Sequence, residues 1–275
     1  MNNSIKQDFW LNLLDIIAIF LWSLLLFKYW ITGELNLLIH PNYFSLVLIT
    51  SIIFLLLTIA KIIQLFNYYQ KNHNFHNYTN NNQHSNLLPK GWASSILIFV
   101  AILGLIIKPM VLSSQTAMQR GVTDTLPPTT LETQSFLTQT SPEKRSQSGA
   151  VRSLIEWVRT LNAYPEPDTY TGQPANITGF VVHLDHLPEN YIYLSRFVLT
   201  CCAVDAYPVG ILVELPKSRS NFPVDSWLEV QGIMKTETLP PVDSSQNRKQ
   251  KDKRQLVLQA KEVKTIPTPK NPYAY

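Results

Sequence analysis

Tyr191-Ile-Tyr-Leu-Ser-Arg-Phe-Val-Leu-Thr-Cys-Cys-Ala-Val-Asp-Ala-Tyr-Pro-Val-Gly-Ile-Leu-Val-Glu-Leu215 is the stretch whose reading decides the fold of the second half of the chain. Two strand-like runs, Tyr191 to Thr200 and Val209 to Leu215, flank the ten residues Cys201 to Gly210. The only two cysteines of the protein sit there side by side. A trans peptide holds neighbouring Cα atoms about 3.8 Å apart, short of the usual disulfide range. In a strand the two side chains also point to opposite faces. The pair is therefore not a staple, but either two small apolar fillers or a local chemical feature.

Counting by two places Tyr191, Tyr193, Ser195, Phe197, Leu199 and Cys201 on one face and Ile192, Leu194, Arg196, Val198, Thr200 and Cys202 on the other. One face must be core, which makes one cysteine a buried filler. The other face brings Arg196 near a thiol, where a guanidinium favours the thiolate. Asp205 either joins Cys202 in a soft-metal or anion site or forms the turn before Pro208. Two cysteines and a carboxylate fall short of the usual structural zinc set, which His183 or His186 would complete. Cu(I) would also suit thiolates.

Outward from that stretch, further strands are expected at 176–184, 227–236 and 255–265, with Asn, Pro, Asp and Ser at the joints. Five strands in so short a segment suggest a small closed barrel of the OB type, with Gly179 and Gly232 as bend points. An open five-stranded sandwich is the alternative. Val151, Leu154, Ile155 and Val158 recur at helical spacing, so a short amphipathic helix over 151–161 precedes the strands and ends before Pro165 and Pro167. The soluble domain is thus expected at 150–275, and residues 113–149, rich in Thr, Ser, Gln and Pro, read as a flexible linker.

Residues 1–112 differ in kind. Phe9 to Trp30 is long enough to span the hydrocarbon layer at about 1.5 Å per residue, and its Trp and Tyr residues lie near both ends. The run is too long for a signal-peptide apolar core, and no small-residue cleavage site follows it. Tyr43 to Leu65 is the second expected span. The third, 92–112, is short and depends on extension past Pro109. Asp15 inside the first run either reaches headgroup water or faces inward to pair, and Lys28 snorkels. An Asn-rich island over 67–86 holds His73, His76 and His84 and reads as a polar loop rather than a metal-binding helix. Lys61, Lys71 and Lys90 place the second connection in the cytoplasm, hence the N-terminus inside and the C-terminal domain outside the plasma membrane.

The fold class expected is an α+β membrane protein: three transmembrane helices followed by a tethered all-β domain. A net charge of +4 over 275 residues is too small to argue for nucleic-acid binding. The basic run 248–254 beside Tyr191, Tyr193 and Phe197 could form a single-strand platform, but a solvated loop is the simpler reading. No phosphate loop, dinucleotide fingerprint or nucleophile elbow is present, so no enzyme activity and no cofactor are expected.

Several segments together resemble a known family. They are Gly33-x-Leu with Ile39-His-Pro41, Lys108-Pro, Ala117-Met-Gln-Arg-Gly121 and Glu156-Trp157. Ile177-Thr-Gly-Phe-Val181, Arg196-Phe197 and Cys201-Cys-Ala-x-Asp205-Ala-x-Pro208 follow, then Trp227-Leu-Glu-Val-Gln-Gly232 and Pro269-Lys-Asn-Pro-Tyr-Ala-Tyr275. The chain resembles the YcgQ-like family of bacterial membrane proteins, identified as permease subunits. The resemblance implies a larger multi-span permease partner in the lipid bilayer, and neither a substrate nor a catalytic residue. The expected role is an accessory membrane subunit whose β domain docks on or gates that partner. The alternative is a membrane-anchored ligand- or metal-binding module using Arg196, Cys201, Cys202 and Asp205, with His183 as a further ligand.

Overall fold

The computed structural model describes residues 3–71, 91–122, 152–242 and 252–275. The chain divides into two compact units, Met1–Met110 and Val111–Tyr275. The Asn-rich island beyond Lys71, with His73, His76 and His84, lies outside the described residues, as do linker residues 123–150 and most of the basic run before Asp252.

Among the described residues, three α-helices build the first unit: α1 (Asn3–Thr32), α2 (Phe44–Lys71) and α3 (Trp92–Ile106). Phe9–Thr32 of α1, and Pro41–Asn67, which joins a 3-10 turn at Pro41–Tyr43 to α2, are long and apolar enough to cross a membrane. Only 22% and 11% of their most apolar stretches are buried, whereas the core helix of a water-soluble protein would be mostly covered. Leu46, Leu56, Phe66, Phe99 and Ile106 are among the large apolar side chains left outward.

Polar atoms are spent on the seams between helices, where no water is needed to satisfy them. Ser23 and Ser51 exchange reciprocal hydroxyl-to-carbonyl bonds of 2.9 and 3.0 Å between α1 and α2. Along α3, Trp22 Nε1 donates to the Leu97 carbonyl at 3.2 Å, Tyr29 to Gly104 at 2.8 Å and Lys28 to Leu105 at 3.1 Å. The residue order of these contacts makes α1 and α3 parallel. Asp15 accepts from the Ser94 hydroxyl, so it is paired between helices rather than merely shallow.

α3 is shorter than the expected third span. Its 15 residues rise about 22 Å, less than the roughly 30 Å of hydrocarbon. The cause is local. Pro109 disfavours the helical region for Lys108, and the backbone has already left the helix one residue earlier, at Ile107, φ −84° and ψ 122°.

The second unit begins earlier than the expected linker allows. α4 (Ser114–Arg120) is part of it, capped by Ser113 and packed on the sheet. α5 (Leu154–Ala163) opens on a reciprocal capping box. Ser153 Oγ accepts from Glu156 N at 3.3 Å, and Glu156 Oε2 accepts from Ser153 N at 2.8 Å.

All five expected strands form: β1 (Pro174–Val182), β2 (Tyr191–Val198), β3 (Tyr207–Glu214), β4 (Trp227–Leu239) and β5 (Lys253–Ile266). They make one sheet whose order β1-β2-β3-β5-β4 returns to β1, because β1 also pairs with β4. Among the strand pairs of the described sheet, β3 and β5 are parallel and the others antiparallel. The core inside combines Ile177, Val181, Ile192, Leu194, Ile211, Leu228, Val230, Met234 and Leu258 with Leu154, Trp157 and Val158 of α5.

Both expected bend glycines sit where a Cβ would collide with backbone. At Gly232, beside the irregularity in the β4–β5 register, it would lie 2.0 Å from the Gln259 carbonyl oxygen. At Gly179 it would lie 2.6 Å from that of Ser195.

Both faces of β2 are buried. The inner face meets the core. At the end of the outer face the C-terminal tail pairs beside the strand, Ala274 N–H donating to the Phe197 carbonyl at 2.8 Å, and brings Tyr273 onto the Phe197 ring. Tyr193 and Phe197 are therefore inaccessible as stacking platforms for bases. Arg254, from the basic run, lies in β5 and is paired with Glu166 and Asp168.

Candidate functional site

β2 ends at Val198 and β3 starts at Tyr207, so both cysteines lie in a turn and not in a strand. The alternation that would send them to opposite faces no longer applies. Their sulfurs converge instead, Sγ to Sγ 3.5 Å. Cys201 is exposed and Cys202 half-buried, so neither is a core filler.

Asp205 organises this turn. Its Oδ2 accepts from the Cys201 amide at 2.9 Å and from the Thr200 hydroxyl. Its Oδ1 accepts from the Cys202 amide at 3.0 Å, and its own N–H donates to the Cys202 carbonyl at 3.1 Å. A short carboxylate side chain closing a turn on nearby amides is the usual reason for Asp in such segments.

The ligand atoms of Cys201, Cys202 and Asp205 all lie within 4.8 Å of one another. Burial works against ionising Asp205. Hydrogen bonds from the Cys201 thiol, the Thr200 hydroxyl and the two amides outweigh it and hold the carboxyl at about 2, below its ordinary 3.8. Conversely, the hydrogen bond to Asp205, with a second to Cys202, pushes the Cys201 thiol up to about 12. A single thiol proton cannot serve both acceptors, and the charged carboxylate is the stronger one.

Because the carboxyl is depressed in the folded chain, its contribution to the turn is complete above its ordinary value. It is lost as the pH falls through about 2. Asp205→Ala is expected to free the Cys201 thiol and raise its alkylation rate at pH 8 by about tenfold or more. An unchanged rate, measured with a soluble maleimide, would show that the carboxylate does not hold that proton.

Arg196 is not brought to the thiols. Its guanidinium lies over Trp227, 5.6 Å from the ring centre, and donates to the carbonyls of Asn271 at 2.9 Å and Pro272 at 3.3 Å. His183 is likewise elsewhere, its Nε2 donating to the Phe222 carbonyl at 3.0 Å. The basic group that does reach the cysteine turn is Arg120 of α4. Its Nη1 donates to the carbonyls of Ala203, at 3.0 Å, and Ala206. Spacing could not reveal this contact across eighty residues. The only sequence sign was that Arg120 stands inside one of the family segments.

Several of those segments meet in space within the second unit. Phe180 stacks on Phe197 at 5.4 Å and tilts against Trp227 at 6.0 Å. Tyr273 of the tail packs edge-on to Phe197 at 6.2 Å, and its hydroxyl accepts from the Leu112 amide at 2.9 Å. Asp225, just before β4, accepts from the Ser114 amide at 2.5 Å. The turn, α4, the tail and the ends of β1, β2 and β4 thus form one continuous corner of the second unit.

No curated protein matches the chain. Residues 14–123 match the DUF1980 N-terminal domain and residues 149–275 match the DUF1980 C-terminal domain. With both domains present in order, the chain belongs to the DUF1980 family.

Proposed function

We propose that this chain is an accessory membrane subunit of a two-component permease. Its helical unit seats in the bilayer against a larger multi-span partner, and its β unit docks on or gates that partner. The observation that carries the reading is the division of labour inside the helical unit. Polar atoms are consumed on the α1–α2 and α1–α3 seams, and the apolar faces are left outward for lipid or a partner. Two spanning helices, or three with α3 extended by its flanks, are too few to enclose a path. The resemblance to permease subunits supports the same reading.

In this reading α3 completes a third crossing, the N-terminus is inside, and the β unit is outside the plasma membrane. The strand order with a single parallel β3–β5 pair supports an OB-type barrel as its fold. Co-purification in mild detergent tests the assignment, and a multi-span membrane protein is expected with the tagged chain. Recovery of the chain alone, from cells whose own membrane extract is the only source of partners, counts against it. Labelling Lys217→Cys in a Cys201→Ser/Cys202→Ser background with an impermeant reagent tests the outside placement.

A second reading, a membrane-anchored ligand- or metal-binding module, is favoured by one specific observation: two sulfurs and a carboxylate gathered in a turn that Asp205 and Arg120 hold in shape.

A further inference from the structure

The cysteine turn has the dimensions of a particular kind of cation site. We propose that Cys201 and Cys202, with Asp205 as third ligand, bind one divalent zinc-like ion and leave its fourth position open. The inference rests on the second reading above and names its ligand.

The sulfur separation decides between ions. With zinc–sulfur bonds of about 2.3 Å, a 3.5 Å separation gives a sulfur–metal–sulfur angle of about 100°, close to tetrahedral. An ion held linearly between two thiolates would need them about two bond lengths apart, roughly 4.6 Å. That separation would require a cysteine side chain to rotate, so the sulfurs as placed suit a tetrahedral ion better than two-coordinate Cu(I), although its softness fits thiolates.

The carboxylate is already in place. Oδ2 accepts from the Thr200 hydroxyl and the Cys201 amide, Oδ1 accepts from the Cys202 amide, and the bond from the Cys201 thiol is given up when that thiol ionises to bind the ion. A carboxylate oxygen has two acceptor directions. Oδ1 therefore keeps one for a metal while its amide bond fixes its orientation, the role that outer-shell hydrogen bonds play around metal ligands. Arg120 fixes the far side of the turn through Ala203 and Ala206.

Structural zinc sites close with four protein ligands, and three ligands with an open position mark an ion that stays reactive or exchangeable. Cys201 is exposed, so the open position is reachable by water or by a donor from another protein. Loading takes up one M²⁺ and releases two thiol protons to solvent, with no change of oxidation state.

The test uses the full-length chain in detergent, untagged because a histidine tag would itself bind zinc, with the thiols kept reduced. Zn²⁺ alone is titrated against a chromophoric chelator, and Co²⁺ is used to look for a thiolate-to-metal charge-transfer band. One equivalent is expected. Cys201→Ser/Cys202→Ser should weaken it by about 100-fold or more and abolish the band. Asp205→Asn should weaken binding by about tenfold and keep the band. Wild-type protein alkylated at both cysteines provides a second arm that requires no variant to fold. Uptake that survives serine substitution or alkylation, or no uptake of Zn²⁺ at one equivalent, overturns the proposal. Co-purification of a permease with a chain that binds no zinc sinks this inference alone. Zinc binding by a chain that has no membrane partner sinks the accessory-subunit reading and leaves this one standing.

Discussion

Arg196→Ala is expected to destabilise the second unit by about 3 kcal/mol and to release its C-terminal tail. Two hydrogen bonds from a cation to carbonyls are lost, those to Asn271 and Pro272. Each such bond contributes about 1.5–3 kcal/mol when buried, less here because part of the guanidinium meets solvent. The contact with Trp227 adds about 1 kcal/mol. Arg196→Lys should recover only part of this, since an ammonium cannot span both carbonyls in the plane of the ring. Thermal unfolding gives the magnitude, and carboxypeptidase trimming of Ala274 and Tyr275 reports the tail. The alkylation rate of Cys201 discriminates between two roles. If Arg196 stabilised a thiolate, as its position in the sequence suggests, the variant would slow alkylation. The structure predicts no change, because Asp205 rather than Arg196 contacts that thiol.

The contrast between Arg196 and Arg120 shows what the sequence could carry. Every strand is legible, because apolar runs bounded by turn residues have a period that local chemistry imposes. The covering of Phe197 at the end of β2 is not, because it depends on where a tail some seventy-five residues away brings Tyr273 against that ring. The same limit governs the site. Alternation assigns Cys201 and Cys202 to opposite faces only while the chain stays extended, and Asp205 bends it two residues after Val198 by taking the amides of both cysteines. Asp205 and the cysteines are identifiable because three chemically active groups share five residues. Arg120 and Tyr273 are not, since their partners are distant in sequence and no spacing rule connects them. In the helical unit the apolar runs are legible from length and composition. The pairing of Asp15 with Ser94 requires knowing that α3 lies parallel to α1, which hydropathy does not contain.

Trp157→Ala should cost the second unit about 3–5 kcal/mol, the range for emptying an aromatic site in a packed core. Trp157 is 1% exposed, meets Tyr170 edge-on at 6.0 Å, and lies under the Arg152 guanidinium at 4.7 Å. It anchors α5 in the sheet interior, so its loss should loosen the helix and the strands together. The informative comparison is Trp157→Phe. The indole N–H is buried without a hydrogen-bond partner among the described residues, so the larger ring carries a desolvated donor that returns nothing. Phenylalanine keeps an aromatic ring for Tyr170 and Arg152 and removes that donor, at the expense of a small cavity. The two changes oppose each other, and the net loss should stay below about 1.5 kcal/mol. Chemical denaturation of both variants, read by the remaining tryptophans, measures the difference. Should phenylalanine prove as damaging as alanine, the indole nitrogen must hold a bond that makes Trp157 a polar as well as an apolar anchor. The core would then owe its specificity to a hydrogen bond and not to shape alone.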